Sequence, residues 1–300
     1  IYALTCLCCA FIVRGDIFSV FFERRIPFSF SVQKAYFTET VSGIAIGLFL
    51  VISFLGVSGY HPINSDDVRT YYNVPKTYVE NGGIVDFSFD PLNNGPLAFA
   101  YIYEPFIMLN DRFINYISIY FFVLLLYTLY ILCRRLFNRG IALIATLFFF
   151  SMPWTFWFLS TIKIDFLVSF LILAAFIAIE LSFDEKKYRW LAVGGVCIGF
   201  SIAVKYNAII VVPAILMYIV VRHIQLRRSI REITAGIALI GIMTVASFLP
   251  WAARGYIIWG NPLYPFSVSG IYGPQQTIAP KVGAFVEQLF TASADRGIFL

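Results

Sequence analysis

Long apolar runs alternate with short polar segments along most of the chain. A helix that crosses a membrane needs about 20 mostly apolar residues, and seven runs approach or reach that length: residues 41–57, 113–133, 140–160, 166–182, 189–204, 207–221 and 233–252. The pattern predicts an all-α, polytopic transmembrane helix bundle. An apolar segment at residues 1–13 is too short, and since the sequence lacks an initiating Met and stops at Leu300, we expect a fragment or a chain trimmed at both ends.

Composition supports a membrane protein. Hydrophobic residues make up 60% of the chain and charged residues only 13%, and the mean hydropathy is +0.80. A soluble domain could not bury so much apolar surface. The five cysteines have no paired spacing of the kind that binds zinc, and we expect buried thiols (Cys6, Cys8, Cys9, Cys133 and Cys197).

Basic residues mark the ends of the predicted helices rather than one continuous face. The net charge is +5, but a nucleic-acid-binding protein would gather that charge on one surface. Short loops rich in Arg and Lys lie on the cytoplasmic side of membranes, and three loops fit this rule: residues 134–139, 186–189 and 222–231. The polar segment 58–112 and the joints near Lys163 and Lys205 then lie outside. This topology requires that the apolar segment 96–109 does not cross the membrane, and we expect an interfacial or re-entrant helix there.

Two adjacent carboxylates stand in the large outside loop at residues 58–112, and we expect them on an exposed face near the membrane surface. Asn64 and Ser65 precede Asp66 and Asp67, and such residues cap the first turn of a helix. The positive end of the helix dipole favours ionised carboxylates, which can act as a base or bind a cation. Alternatively, neither residue takes part in a reaction: one Asp caps the helix and the other is solvated.

The residues after the acid pair predict two short helices near the membrane surface. Pro75 fits the first turn of a helix, and Gly82 fits its C-terminal cap. Tyr71 and Lys76 lie on this segment with the acids. Amphipathic helices that carry acids, tyrosines and a lysine suit a substrate with a polar head and a lipid tail.

The order of these motifs resembles that of the membrane-embedded GT-C glycosyltransferases. Residues 66–84 resemble the first outside loop of the bacterial branch that includes protein mannosyltransferase-like and aminoarabinose transferase-like enzymes. Counting back from Lys76, Asp66 takes the acidic position, while Tyr71 stands where a His is often found. Later segments resemble the family in the expected order: residues 96–109 with Glu104, 134–139, 151–153, Asp165 and 260–265.

The resemblance implies three regions and an activity. Residues 1–40 would form a partial N-terminal span and cytoplasmic segment, residues 41–266 a GT-C-like transmembrane module, and residues 267–300 an extracytoplasmic tail. Such enzymes move a hexosyl or pentosyl group from a polyprenyl-phosphate donor to a lipid, glycan or protein acceptor. We expect an integral protein of the bacterial inner membrane, part of the cell envelope, with its active loop outside.

Direct displacement needs a base for the acceptor and a cation for the departing phosphate. Asp66 is the expected base, with Asp67 as its neighbour or as a metal ligand, and neighbouring carboxylates suit Mg or Mn. Further substrate contacts are expected among residues of the outside face: Tyr71, Lys76, Glu104, Lys163, Asp165, Lys205, Tyr206 and Arg254. Instead of binding substrate, the basic side chains could simply extend to the membrane interface. Asp165 could likewise do no more than pair with Lys163.

Two other classes of function stay open. A transporter or flippase of a lipid-linked substrate would also place charges at helix ends, but transporters tend to carry ionisable groups near the membrane centre, where this sequence has almost none. A non-catalytic assembly protein could be built on the same fold, since fold alone does not give activity. The expected partners are the polyprenyl-phosphate sugar donor and membrane lipid. The sequence does not indicate the oligomeric state.

Overall fold

The computed structural model describes residues 67–85, 87, 93 and 95–264 except 186, together with the helical residues 47, 48, 51 and 55. Asp66, most of the predicted span 41–57 and the terminal segments 1–40 and 267–300 therefore lie outside the described residues. Within the described residues the chain is helical and has no strands. This confirms the all-α, polytopic helix bundle.

The described helices follow each other with short connections. A six-residue π-helix at Asp67–Tyr72 leads directly into α1, and 3₁₀ turns precede α3 and α8. The α-helices are α1 (Asn73–Asn81), α2 (Ala98–Leu109), α3 (Ile117–Leu136), α4 (Arg139–Ser151), α5 (Pro153–Leu159), α6 (Asp165–Glu185), α7 (Tyr188–Val204), α8 (Val211–Gln225) and α9 (Ile230–Trp259).

Local sequence sets several helix ends. Pro75 lies in the first turn of α1, and the helix ends at Gly82, whose φ of 65° is the left-handed conformation that glycine adopts without strain. Ser229 and Glu232 form a capping box at the start of α9. Pro153 begins α5 at a sharp break, and α4 and α5 meet at an angle of 61°.

Four of the described helical segments are long and apolar enough to cross a membrane: Asp111–Leu136, Asp165–Glu185, Tyr206–Gln225 and Ile230–Trp259. The bent pair α4 and α5 gives a fifth if it forms one broken span. α7 is apolar but has only 17 residues. α2 is a short apolar helix of 12 residues, in the place where the sequence predicts a helix that does not cross.

α7 packs against both α6 and α9, while α3 packs against α6 and α4. Small residues of α7 allow the close approach of α9. Thr244 donates a hydrogen bond of 3.2 Å from its hydroxyl to the carbonyl oxygen of Gly195. A Cβ atom added at Gly199 would lie 2.2 Å from the carbonyl oxygen of Thr244, so only glycine fits there.

The two ends of the bundle differ in their charges. At one end, Arg135 contacts Asp184 and Arg222 contacts Glu180, so the turns that follow α3, α6 and α8 lie together. The charged ends of α6 and α7 at the opposite end, near Asp165 and Lys205, lie close to α2. Of the predicted site residues, Asp165 and Lys205 lie at this second end.

Candidate functional site

Asp67 begins the π-helix and is completely buried, with 0% of its surface exposed. The sequence predicted the acid pair on an exposed face near the membrane surface, which is wrong for Asp67. Its Oδ1 atom lies 3.2 Å from the Nζ atom of Lys163, whose side chain is only 8% exposed. An ammonium at this distance stabilises the ionised carboxylate and makes its burial tolerable.

The π-helix that carries Asp67 is held by Asn93. The Thr70 hydroxyl donates a hydrogen bond of 2.8 Å to the side-chain oxygen of Asn93. The Asn93 side-chain amide in turn donates to the backbone carbonyl of Arg69, at 3.1 Å. Isolated π-helical turns are rare and occur often at functional sites, and here the turn places a carboxylate inside the protein.

Lys163 is fixed by its backbone and its aromatic neighbours. The buried Ser118 hydroxyl donates a hydrogen bond of 2.5 Å to the carbonyl oxygen of Thr161, and it accepts one of 3.3 Å from the Lys163 amide. The ammonium lies 5.2 Å from the centroid of the Tyr71 ring and 5.8 Å from that of the Trp157 ring. Both distances allow cation–π attraction. The ammonium is thus enclosed by one carboxylate and two rings.

A second ion pair lies at the starts and ends of neighbouring helices. Asp165, the first residue of α6, accepts a hydrogen bond of 2.7 Å from the Nζ atom of Lys205, which follows α7. Their side chains are 36% and 32% exposed. The alternative in which Asp165 only neutralises Lys163 is therefore wrong: Lys163 is turned to Asp67, and Asp165 is paired with Lys205.

Tyr103 of α2 lies within electrostatic range of a carboxylate from each ion pair. Its side chain is 0% exposed, and its ring meets that of Phe99 edge to face at 5.4 Å. Burial raises the pKa of its hydroxyl well above the usual 10, and the negative charges of Asp165 and Asp67 raise it further. The phenol is therefore protonated at neutral pH and lies within electrostatic reach of both carboxylates.

Four other predicted site residues lie in separate surroundings. Lys76 forms an ion pair of 2.8 Å with Asp111, and this bond raises the pKa of its ammonium. The Tyr206 hydroxyl donates a hydrogen bond of 2.9 Å to the carbonyl oxygen of Tyr264, in the segment that follows α9.

Glu104 and Arg254 both lie within electrostatic range of the Tyr101 hydroxyl. Burial raises the pKa of the Glu104 carboxyl. Arg254 lies over the Trp251 ring at 5.7 Å, and that ring is 5.9 Å from the ring of Tyr101.

Four residues near the two ion pairs were not predicted from the sequence: Tyr103, Trp157, Ser118 and Asn93. Tyr103 had a visible signal, because it shares the buried face of α2 with Phe99 and Ile107 at intervals of four residues. A phenol on such an apolar stripe indicates a buried polar contact. Asn93 had no such signal in the sequence, since its hydrogen bonds join it to Thr70 and Arg69, more than 20 positions away.

No group of three or more His, Cys, Asp and Glu side chains able to hold a metal ion occurs among the described residues. The predicted Mg or Mn site involves Asp66, which lies outside them. On the Oδ1 side of Asp67, the Lys163 ammonium lies where a cation would bind.

The chain matches the dolichyl-phosphate-mannose-protein mannosyltransferase family over residues 94–251, slightly more than half of its 300 residues. The match contains Tyr103, Lys163, Asp165 and Lys205, and it begins after the segment of Asp67. Comparison with the curated proteins and with the solved structures gives no match. The aligned segment lies in the helix bundle and supplies three of the four residues of the two ion pairs. Because the match covers more than half of the sequence, the chain belongs to the dolichyl-phosphate-mannose-protein mannosyltransferase family.

Proposed function

We propose that this protein is a membrane glycosyltransferase that moves a sugar from a polyprenyl-phosphate donor to a hydroxyl of a lipid, glycan or protein acceptor, with Asp67 as the general base. Membership of the family supports glycosyl transfer in a membrane. The buried ion pair of Asp67 and Lys163 is the observation that supports this residue assignment.

In the proposed step, a carboxylate oxygen of Asp67 removes the proton of the acceptor hydroxyl. The acceptor oxygen attacks the anomeric carbon of the donor and forms the new glycosidic bond. The bond between that carbon and the phosphate oxygen breaks, its electron pair stays on the phosphate, and polyprenyl phosphate leaves. A single displacement of this kind inverts the anomeric configuration.

The departing phosphate needs a positive charge. Lys163 is enclosed beside Asp67, whereas about a third of the Lys205 side chain is exposed. Lys205 is therefore the cation that an anionic headgroup would meet first, and Asp165 holds it in place at 2.7 Å. We infer that Lys163 maintains the ionised base and that Lys205 binds the phosphate.

We also propose that this site faces the extracytoplasmic side of a bacterial cell membrane. The turns that carry Arg135 and Arg222 lie together at the opposite end of the bundle, and loops rich in Arg and Lys favour the cytoplasm. The resemblance of the first outside loop to the bacterial branch of the family supports a bacterial origin.

Comparison of two neighbouring acids tests the base. Asp67→Asn and Asp66→Asn would be expressed in cells that lack the native copy, and sugar transfer from the extracted polyprenyl-phosphate sugars would be measured in their membranes. We expect Asp67→Asn to lower the rate by at least about 100-fold, the lower range for a lost general base. Asp66→Asn, which changes the same type of residue one position away, is expected to lower it much less.

Equal activity of Asp67→Asn and the wild-type protein would remove Asp67 from the chemistry. The reverse ranking of the two variants would return the role of base to Asp66. A transporter or flippase would instead move the lipid-linked sugar across reconstituted vesicles without forming any glycosylated product.

A further inference from the structure

A buried serine of α3 binds two backbone groups of the turn between α5 and α6. Ser118 is 0% exposed, and its hydroxyl donates a hydrogen bond of 2.5 Å to the carbonyl oxygen of Thr161. The same hydroxyl oxygen accepts a hydrogen bond of 3.3 Å from the amide of Lys163. A hydroxyl suits this place because it can donate and accept at the same time.

Ser118 differs in this respect from other buried hydroxyls of the bundle. Thr128, Thr146 and Ser182 each donate to a carbonyl oxygen of their own helix, three or four residues earlier, as hydroxyl side chains within helices commonly do. Ser118 instead reaches a turn more than 40 positions away. Its hydrogen bonds therefore stabilise a contact between separate parts of the chain rather than α3 itself.

The turn needs such a partner because it is buried. Thr161, Ile162 and Lys163 are all buried, whereas most loops run over the surface, where water satisfies their backbone groups. A buried amide or carbonyl without a partner costs stability. Without the Ser118 oxygen, we expect the turn to shift until these groups find other partners, and the side chain of Lys163 to shift with it.

The position of Lys163 matters because its ammonium lies 3.2 Å from a carboxylate oxygen of Asp67. An opposite charge at this distance favours the ionised carboxylate, and the effect weakens as the distance grows. A general base must be ionised to accept a proton. If the ammonium moves away, Asp67 takes up a proton at a higher pH and loses its activity as a base over more of the acidic range.

The other titratable groups around this pair do not replace the ammonium of Lys163. Tyr71 of the π-helix and Tyr103 of α2 both present phenols, and phenols ordinarily keep their proton up to about pH 10. Asp165 acts on the same Tyr103 phenol, but it has Lys205 as its own partner. In the acidic range, the protonation of the base therefore reports its distance from the ammonium.

We propose that Ser118 is a positioning residue for glycosyl transfer, whose hydroxyl holds the turn that carries Lys163 and thereby keeps the ammonium beside the base Asp67. The inference rests on the proposed function and adds a residue that acts through Lys163 rather than on the substrate. Loss of one oxygen atom of α3 should then change the pH range in which the protein is active, and not only its stability.

The Ser118→Ala variant removes that oxygen atom. Transfer of the extracted polyprenyl-phosphate sugars would be measured in membranes over a range of pH, at donor concentrations low enough for the rate to follow kcat/KM, whose pH profile reports the free protein. We expect the acidic limb to move up by about 1 pH unit, the lower end of the shift that a neighbouring opposite charge causes. The rates of variant and wild-type protein should converge at higher pH. Ser118→Thr, which keeps the hydroxyl, should restore the wild-type limb.

Ser182→Ala is the matched control. Ser182 is also buried, but its hydroxyl donates within α6, at 2.6 Å to the carbonyl oxygen of Ile179. This variant should leave the acidic limb unchanged. If Ser118→Ala does not accumulate in membranes, Ser118→Cys takes its place. A thiol forms only weak hydrogen bonds, so it should move the limb in the same direction.

Three results would overturn the inference. A fall in Ser118→Ala activity by the same factor at every pH would show that the hydroxyl only stabilises the turn. A wild-type profile in Ser118→Ala would show that Lys163 keeps its place without it. An equal shift in Ser182→Ala would show that the shift does not depend on the turn.

None of these three results would remove Asp67 from the chemistry, provided that the wild-type protein has an acidic limb and Asp67→Asn lacks it. A wild-type profile without an acidic limb would instead contradict Asp67 as the base, and the inference with it.

Discussion

Two lysines and two aspartates form the centre of the proposed site, and their partners are not those nearest in sequence. Lys163 and Asp165 are two residues apart, yet Asp165 pairs with Lys205 and Lys163 pairs with Asp67. The sequence could identify all four as charges near helix ends. It could not predict the pairs, because Asp67 and Lys163 are far apart in sequence and meet only in the folded protein.

Breaking the buried pair from one side should be costly. In Lys163→Met, the Asp67 carboxylate stays buried without its ammonium, and loss of one partner of a buried pair costs about 3–5 kcal/mol. We expect a clear fall in the melting temperature of the purified protein. The double variant Asp67→Asn/Lys163→Met, which leaves no charge behind, should recover most of the loss.

Equal melting temperatures for Lys163→Met and the wild-type protein would contradict the buried ion pair. Lys205→Met is the matched control, because its pair with Asp165 is about one-third exposed. Exposed pairs contribute about 0–1 kcal/mol, so its effect on stability should be small.

Glu104 should make stability depend on pH. Burial raises the pKa of its carboxyl above the value in the unfolded chain, so the folded protein favours the protonated acid. Its contribution to stability is fully present below the unfolded pKa and is lost as pH rises through the folded one. In Glu104→Gln this loss cannot occur.

The melting temperature of Glu104→Gln relative to wild type should therefore begin to rise near the ordinary glutamate pKa, about pH 4, and level off above the raised pKa of the folded carboxyl. The measurement is a series of melting curves for both proteins over this range. A difference that shrinks with rising pH would show that the ionised carboxylate is stabilised in the folded protein.

At the level of helices, the apolar runs predicted the elements well. Each of the six predicted spans beyond residue 112 coincides with a described helix or bent helix pair. Pro75 and Gly82 set the first turn and the cap of α1 as expected. The π-helix was not predictable, because the hydrogen bonds of Asn93 that hold it join residues more than 20 positions apart.

The packing of α7 on α9 supports the lysine that follows α7. Gly199 faces the α9 backbone so closely that a Cβ atom would lie 2.2 Å from the carbonyl oxygen of Thr244 and 2.8 Å from Cβ of Ser247. Gly199→Ala should separate the helices and cost about 1–3 kcal/mol, as overpacking usually does. Gly241→Ala is the control, since nothing lies within 4 Å of a Cβ atom there.

Thermal unfolding of the two alanine variants gives the comparison. We expect a lower melting temperature for Gly199→Ala and little change for Gly241→Ala. If both variants melted like the wild-type protein, α7 and α9 would not be packed as closely as described.

For the whole molecule, the sequence predicted the class, the charged ends and the resemblance to a family that the match over residues 94–251 confirms. The seven-span topology stays a prediction, because the first predicted span lies mostly outside the described residues. Burial of Asp67 was not predictable from composition, since a local polar segment indicates a surface until the covering helices are known.

Labelling of single cysteines tests the orientation of the bundle. In a variant without the five natural cysteines, Ser160→Cys lies on an exposed turn beside Lys163, and Gln225→Cys lies exposed at the end of α8. An impermeant thiol reagent added to intact cells should label Ser160→Cys and spare Gln225→Cys. The opposite result would place the Asp67 site in the cytoplasm.

The most direct measurement of the central claim is a single turnover with purified protein. Wild-type protein and Asp67→Asn, each in excess over a bound polyprenyl-phosphate sugar, would be mixed with acceptor, and the release of polyprenyl phosphate would be followed. We predict that wild-type protein releases it in step with formation of the glycosylated product, and that Asp67→Asn binds the donor equally well but releases it at least about 100-fold more slowly. Release at the wild-type rate by folded Asp67→Asn would contradict the account.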